Sequence, residues 1–126
     1  MKKVIFAVAV TLVILACGIT EQVFVQKTLT ELESRADAIY ESLQAKEYSD
    51  ALADTQEMQT WWYGKRDWLE FLCPNNDIKE IVREMSELEG SQLASMYDDS
   101  VTRANVLKHM ARNSRNLLAY KWKNVL

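Results

Sequence analysis

The sequence has little of what turn-rich domains, disulfide frameworks and catalytic centres are built from. Its 126 residues include three glycines, one proline, two cysteines and one histidine. So few turn residues exclude a β domain with many tight turns, and two cysteines form neither a disulfide framework nor a zinc box. His109 has no clustered partners in the sequence that would complete a metal site or an active site. We therefore expect no catalytic residues, no metal and no cofactor.

A surplus of basic charge is also missing. The chain carries 15 Lys and Arg residues against 18 Asp and Glu residues, a formal net charge of -3. Because Lys2 and Lys3 belong to the N-terminal segment, the remainder has thirteen basic and eighteen acidic side chains, a net charge of -5. General binding to nucleic acid needs an excess of Lys and Arg that displaces counterions from phosphate. We expect no nucleic-acid partner.

A long apolar run occupies the N-terminus. Lys2 and Lys3 precede Val4 to Ile19, which we call the apolar run. As a helix it covers ~24 Å, less than the ~30 Å of a hydrocarbon core, so a span needs local thinning of the bilayer or snorkelling lysines. The two lysines stay in the cytoplasm by the positive-inside rule. We predict that residues 1–20 are a signal anchor or a lipoprotein signal peptide, and that residues 21–126 form an extracytoplasmic domain at the cytoplasmic membrane.

Two structures for the anchor remain open. The segment Ile14-Leu15-Ala16-Cys17 resembles a bacterial lipoprotein processing box, which would place a lipid on Cys17. However, Leu15 is bulky for its place in that box, and helical periodicity resumes without a flexible tether. The alternative is an uncleaved anchor helix in which Cys17 is an ordinary small residue.

Helical periodicity continues through the rest of the chain. Leu, Ala, Glu, Lys and Gln abound, and these residues favour helices. The sequence contains four apolar seams, of which the first and third recur at spacings of three and four residues and the fourth falls on one side of a helix at ~100° per residue. They are Val25, Leu29, Leu32, Ala36, Ile39 and Leu43; Ala51, Leu52, Met58, Trp62, Leu69 and Leu72; Ile78, Ile81, Met85 and Leu88; and Val106, Leu107, Met110, Leu117, Leu118 and Val125. Short polar breaks separate them, so we predict an all-α fold: the membrane or signal helix, then an antiparallel bundle of about four helices or two stacked helical hairpins.

Several motifs after the apolar run resemble one known family. They are Trp61-Trp62, Trp68-Leu69, Asp77 to Ile81, Leu88 to Gly90, and the closing Asn124-Val125-Leu126. Together they resemble a bacterial membrane-anchored helical family designated domain of unknown function forty-three sixty-three. The resemblance covers most of the chain after the anchor and implies a membrane helix followed by a helical domain, with no reaction. The chain departs from the family at Asn75, where members tend to carry histidine, and at Lys79, where they tend to carry an acidic residue.

Residues 61–68, the tryptophan segment, contain the least usual composition of the chain. Trp61, Trp62 and Trp68 fall within eight residues. Because successive helix positions differ by ~100°, Trp61 and Trp62 diverge, whereas Trp61 and Trp68 share one face. One side is expected in the bundle, and the other against lipid headgroups or a partner. An alternative is that the exposed indoles form a stacking platform for an envelope sugar.

The last seam belongs to a basic segment. No acidic residue follows Asp99, whereas Lys108, Arg112 and Arg115 are placed opposite the predicted apolar seam. This face would suit anionic lipid or an acidic wall polymer. The alternative is that these cations pair with acids of other helices, such as Glu31, Asp37, Asp54, Glu84 and Glu87, or are merely solvated.

These features favour a non-enzymatic module. We predict a membrane-anchored protein-interaction or scaffolding domain of the cell envelope, with another membrane or envelope protein as its partner. The alternative is a binding protein for envelope glycan or anionic polymer, acting through its tryptophan-rich and basic helices. A catalytic function would require a cleft that gathers His109 with acidic residues.

Overall fold

The fold is all-α, as predicted. The structure, a computed structural model, describes residues 1–72 and 76–125, with side chains at all of these positions except 72, 76, 77, 121, 122, 124 and 125. Four helices account for these ranges: α1, Lys2–Gln44; α2, Tyr48–Leu72; α3, Asn76–Leu93; and α4, Tyr97–Val125. Residues 73–75, which fall in the break between the second and third predicted seams, lie outside the described residues, as do the side chains of Asn76 and Asp77.

Helix α1 has two parts with different surroundings. Its first buried residue is Val25, and the apolar run before it is exposed except for half-buried Gly18. Thus α1 begins outside the bundle and enters it after about six turns. We call the end of the bundle from which the apolar run projects the exit end. The opposite end, where α1 joins α2 and α3 joins α4, is the turn end.

The four helices form a ring in chain order. Helix α1 packs against α2 and α4, and α3 packs against the same two; within the described ranges the Cα atoms of the diagonal pairs, α1 with α3 and α2 with α4, stay more than 8 Å apart. Side-chain contacts such as Gln26 to Arg115 and Asp37 to Lys108 run in opposite directions along α1 and α4. The neighbours are therefore antiparallel, which confirms the predicted bundle.

Two of the predicted seams form the core without exception. Every predicted apolar position on α1 from Val25 to Leu43, and every one on α3 from Ile78 to Leu88, is at most 2% exposed. On α2 the seam also includes Thr55, which is fully buried. Its burial leaves no hydroxyl unsatisfied, because the Thr55 hydroxyl donates a hydrogen bond to the Ala51 carbonyl. A polar side chain satisfied within its own helix can therefore occupy the core.

The predicted seam of α4 is wrong in part. Val106 and Leu117 are about two-fifths exposed, and of the predicted positions whose side chains are described only Leu107 is fully buried. The residues of α4 that face the core are Ser100, Ala104, Leu107, Ala111 and Ser114. Small side chains at these positions let α4 approach its neighbours closely, so the helix is rotated away from the bulkier apolar residues that defined the prediction.

The two turns at the turn end have the same geometry. Lys46 and Ser95 each have a positive φ, 62° and 59°. After each helix, a backbone N–H donates back over five residues, from Glu47 to the Ser42 carbonyl at 2.9 Å and from Met96 to the Ser91 carbonyl at 2.8 Å. This is the Schellman arrangement, in which one left-handed residue ends the helix. Non-glycine residues occupy the left-handed position in both turns.

These turns belong to a pseudo-repeat of the two hairpins, α1–α2 and α3–α4. Lys46 and Ser95 are 49 positions apart, and the same shift superimposes the buried seams of α1 on α3 and of α2 on α4. Tyr48 and Tyr97, also 49 positions apart, stack on one another with ring centroids 3.6 Å apart and planes 4° from parallel. Equivalent residues that meet in this way define an approximate two-fold axis along the bundle.

Candidate functional surfaces

The tryptophan segment is divided between core and surface. Trp62 is 0% exposed, which confirms its place in the predicted seam of α2 and contradicts its inclusion, with Trp61 and Trp68, in a possible ligand or partner surface. It lies on the seam of α2 with Met58 and Leu69, and its size makes it the largest fully buried side chain of the described core. Its indole N–H has no hydrogen-bond partner there. Trp62 therefore serves packing.

Trp61 lies at the edge of the core. It is half-buried, its ring is tilted by 53° to that of Trp62, and the Arg35 guanidinium of α1 lies 4.7 Å from its centroid. Arg35 also pairs with Glu31 of its own helix at 3.1 Å. This cation–π contact joins α1 to α2 and covers one face of the indole, which leaves little of it for stacking on a sugar.

Trp68 is the exposed tryptophan of the segment. Its side chain is 63% exposed, and Phe71, one turn later, is 77% exposed. The two rings meet edge to face with centroids 6.3 Å apart. Trp68 also lines an apolar groove of about 240 Å³ with Thr20, Glu21 and Phe24 of α1. This pair therefore stands beside the point where the apolar run leaves the bundle.

The predicted basic face of α4 is neutralised by α1. The Lys108 ammonium lies 2.9 Å from Asp37, the Arg112 Nε donates to Glu33 at 2.9 Å, and Arg115 Nη1 lies 2.7 Å from the other oxygen of Glu33. The Glu33 side chain is only 15% exposed, so it is held between two guanidinium groups at the helix boundary. Asp37 is one of the acids predicted from the sequence to pair with these cations, whereas Glu33 is not.

The other flank of α4 is neutralised by α3. Arg103 donates to Asp99 at 2.8 Å, pairs with Glu87, and lies 3.9 Å from Glu84. The hydrogen bond to Asp99 is the chief reason that the pKa of the Arg103 guanidinium is raised, with the negative charges of Asp99 and Glu87 adding to it. A raised pKa favours the charged form in the fold, and that contribution is lost only at strongly alkaline pH. Arg103 thus stays charged at neutral pH.

These pairings leave an uncharged surface on α4 that the sequence analysis missed. In this fully described stretch, the α4 outer face consists of Thr102, Val106, His109, Asn113, Asn116, Leu117 and Tyr120, all of them exposed. None carries a formal charge except when His109 is protonated. The ion-paired cations of α4 lie to either side, on the flanks that meet α1 and α3. The sequence indicates this face by neutral residues that recur every seven positions. It was not predicted because the apolar seam of the fourth helix was assigned to the wrong side.

The remaining candidate residues are isolated. Cys17 is exposed within the apolar run, in the middle of an unbroken helix. His109 is exposed on the α4 outer face. In the part of the chain that the structure describes, no group of three or more His, Cys, Asp or Glu side chains is placed to hold a metal ion.

Fold and surfaces define a four-helix bundle whose first helix extends into an apolar N-terminal segment. That segment makes α1 the one described helix that is long and apolar enough to cross a membrane. No protein-family model matches this chain, and no curated protein or solved structure matches it either.

Proposed function

We propose that this protein is a membrane-anchored, non-enzymatic interaction module of the cell envelope, and that it binds its protein partner through the α4 outer face. The observation that carries the proposal is the absence of formal charge on that face at neutral pH, from Thr102 to Tyr120. The centres of protein interfaces are depleted of charged residues and keep their charges at the rim. Val106 at the middle of the face, with ion pairs on both flanks, follows the same arrangement.

Anchoring through the apolar run fits the form of α1. The run is exposed around its whole circumference, which suits a lipid surrounding and would be unfavourable in water. With Lys2 and Lys3 retained in the cytoplasm, the bundle would lie on the extracytoplasmic side. The family resemblance supports the same architecture.

The form of the anchor is decided by labelling with a fatty acid in cells. We expect an unlabelled, uncleaved chain, because α1 continues through Cys17 without a break or tether. A label in the natural chain that is lost in Cys17→Ser would instead establish a lipoprotein. Both outcomes keep the bundle at the membrane, and recovery of the chain in the soluble fraction would contradict anchoring.

The partner-binding face is tested by site-specific photocrosslinking in cells. A photoreactive amino acid replaces Val106 in one variant and Glu57 in another; the pseudo-repeat makes Glu57 the equivalent exposed position on α2. We expect one reproducible protein adduct from position 106 and none from position 57. Val106→Glu should remove an adduct captured from the neighbouring position 113, because a charge is introduced at the centre of the interface.

Adducts of equal yield from both positions, or from neither, would contradict this function. Adducts containing two copies of the chain would identify the partner as the protein itself, which is consistent with an interaction module. The two substitutions lie on exposed positions, so folding of the bundle is expected to be unchanged, and the helical circular dichroism spectrum checks this.

The alternative, binding of envelope glycan or anionic polymer, has less support. Lys108, Arg112 and Arg115 already pair with acids of α1, so they offer little net attraction to a polyanion. Of the described tryptophans only Trp68 presents an open ring face. Wall fragments that quench tryptophan fluorescence saturably in the natural chain but not in Trp68→Ala would favour this alternative.

A further inference from the structure

We infer that the exit end of the bundle rests in the interfacial layer of the lipid bilayer, through Trp68 and Phe71 on α2 and Leu117 and Tyr120 on α4. The inference rests on the membrane anchoring proposed above and adds a second contact with the same bilayer. Its basis is the place of these four exposed side chains relative to the apolar run.

The apolar run alone is too short for a comfortable span. Val4 to Ile19 cover ~24 Å, and a hydrocarbon core is ~30 Å thick, so about four further residues of helix must enter the membrane boundary. Those residues are Thr20 to Val23, which include the polar Glu21 and Gln22. A short span is accommodated by flanking groups that suit the interface. Besides the snorkelling lysines, neighbouring helices can supply such groups.

Helix α2 supplies two of them at the required depth. Trp68 lines the apolar groove with Thr20, Glu21 and Phe24, within five residues of Ile19, or about 7.5 Å along the helix axis. Phe71 is one turn nearer the apolar run and is the most exposed large apolar side chain of the described bundle. Tryptophan is enriched at membrane interfaces because its ring is apolar and its N–H is polar.

Helix α4 supplies an equivalent pair on the other side of α1. Leu117 and Tyr120 follow Trp68 and Phe71 by the 49 positions of the pseudo-repeat, and both are exposed, Tyr120 at 63%. Because the Arg115 carbonyl accepts a hydrogen bond from Gln26, the positions beyond it lie toward the exit end. Both helices that pack against α1 therefore expose apolar side chains at the exit end.

Charge does not explain this surface. Glu21 and Asp67 are exposed at the same end, and Lys65 lies near the Phe24 ring at 5.4 Å. Since acids and bases are mixed there, the contact is expected to depend on aromatic burial and to be similar in neutral and anionic bilayers. Only the exit end of the α4 outer face meets lipid, which leaves Val106 free for a protein partner.

The test uses tryptophan fluorescence of the full chain in phosphatidylcholine vesicles with brominated acyl chains. In a Trp61→Phe, Trp122→Phe background, Trp68 is the reporter and buried Trp62 gives a constant baseline, which Trp68→Phe measures. The matched control adds Leu93→Trp to that Trp68→Phe variant, since Leu93 at the turn end is also 63% exposed. We expect the brominated lipid to quench most of the Trp68 emission and to leave the emission of the indole introduced at position 93 unchanged, with equal results in anionic vesicles.

Each other outcome overturns the inference. Trp68 emission that responds to aqueous iodide but not to brominated lipid, in a chain that has inserted into vesicles, would leave the anchor intact and place the exit end in water. Emission protected from both quenchers would indicate that protein covers Trp68. A chain that does not enter vesicles at all would overturn the anchoring proposal too. If the background substitutions weaken the fold, the natural chain compared with Trp68→Phe gives the same readout by difference.

Discussion

The two hairpins of the bundle share one plan and fill it with different side chains. Equivalent core positions hold Trp62 in the first hairpin and Ala111 in the second, and conversely Ala36 in the first and Met85 in the second. Large and small residues thus alternate between the halves. The backbone pattern is repeated, but the two hairpins contribute unequal side-chain volumes at equivalent positions. Close packing allows this because it constrains the summed volume of the side chains in the core and not the volume of each residue.

The hairpins also differ in polarity at the turn end. Leu43 of the first hairpin is replaced in the second by Gln92, which is 4% exposed and whose amide nitrogen and oxygen both lack hydrogen-bond partners in the described structure. Nearby, the hydroxyls of Ser91 and Ser100 share a hydrogen bond of 2.7 Å. The second hairpin therefore buries an unsatisfied amide at Gln92 where the first packs Leu43, and a hydrogen-bonded pair of serines where the first has Ser42 and Ala51.

The largest effect on stability is expected from removing the Trp62 side chain, which the first hairpin contributes to the core. Trp62→Ala deletes the largest buried side chain and leaves a cavity, so the free energy of unfolding should fall by about 3–5 kcal/mol. Chemical denaturation in detergent micelles measures it. Trp68→Ala, at an exposed position of the same helix, should change it by less than about 0.5 kcal/mol. Equal losses for the two variants would contradict the assignment of Trp62 to the core.

A smaller effect of opposite sign is expected from making the hairpins more alike. Gln92→Leu gives the second hairpin the residue of the first and removes two unpaired buried groups, each of which costs about 1–3 kcal/mol when left unsatisfied. We expect the bundle to become more stable by about 1 kcal/mol or more, which corresponds to a rise of about 4–8 °C in Tm per kcal/mol for a domain of this size. A lower Tm would indicate that Gln92 has a partner in solution.

The smallest effect concerns the contact on the pseudo-two-fold axis. Offset and edge-to-face aromatic pairs contribute about 0.5–1.5 kcal/mol beyond their buried area, and a nearly face-to-face stack such as this one is less favourable. Tyr48→Leu and Tyr97→Leu should therefore be coupled by about 0.5 kcal/mol, the lower end of that range, in a double-mutant cycle. Tyr48→Leu with Tyr63→Leu, two tyrosines of one helix that are not stacked on each other, serves as the control and should be additive. A coupling energy near zero for Tyr48 and Tyr97 would contradict a stabilising role for the ring contact on the pseudo-two-fold axis.

Most of the fold followed from sequence because α1 and α3 obey a regular spacing of bulky apolar residues. The failure at α4 has a physical cause: apart from Leu107 its core positions are serines and alanines, which carry little hydrophobic signal, whereas Val106 and Leu117 carry a strong one. The same failure hid the α4 outer face. The spacing of Trp62 from Met58 and Leu69 places it on the seam of α2 and separates it from Trp68. The pairing of Glu33 with two arginines could not be predicted in this way, because it depends on how α1 and α4 are aligned.

The unbroken course of α1 gives the molecule the mechanics of a rod. At about 1.5 Å per residue, its 43 residues form a shaft of roughly 65 Å. Between Ile19 and Val25, where the shaft enters the bundle, the sequence has neither glycine nor proline to act as a joint. Tilt or rotation of the N-terminal half of α1 is therefore transmitted to its C-terminal half. The orientation of the apolar run thus determines the direction in which Val106 on the α4 outer face points.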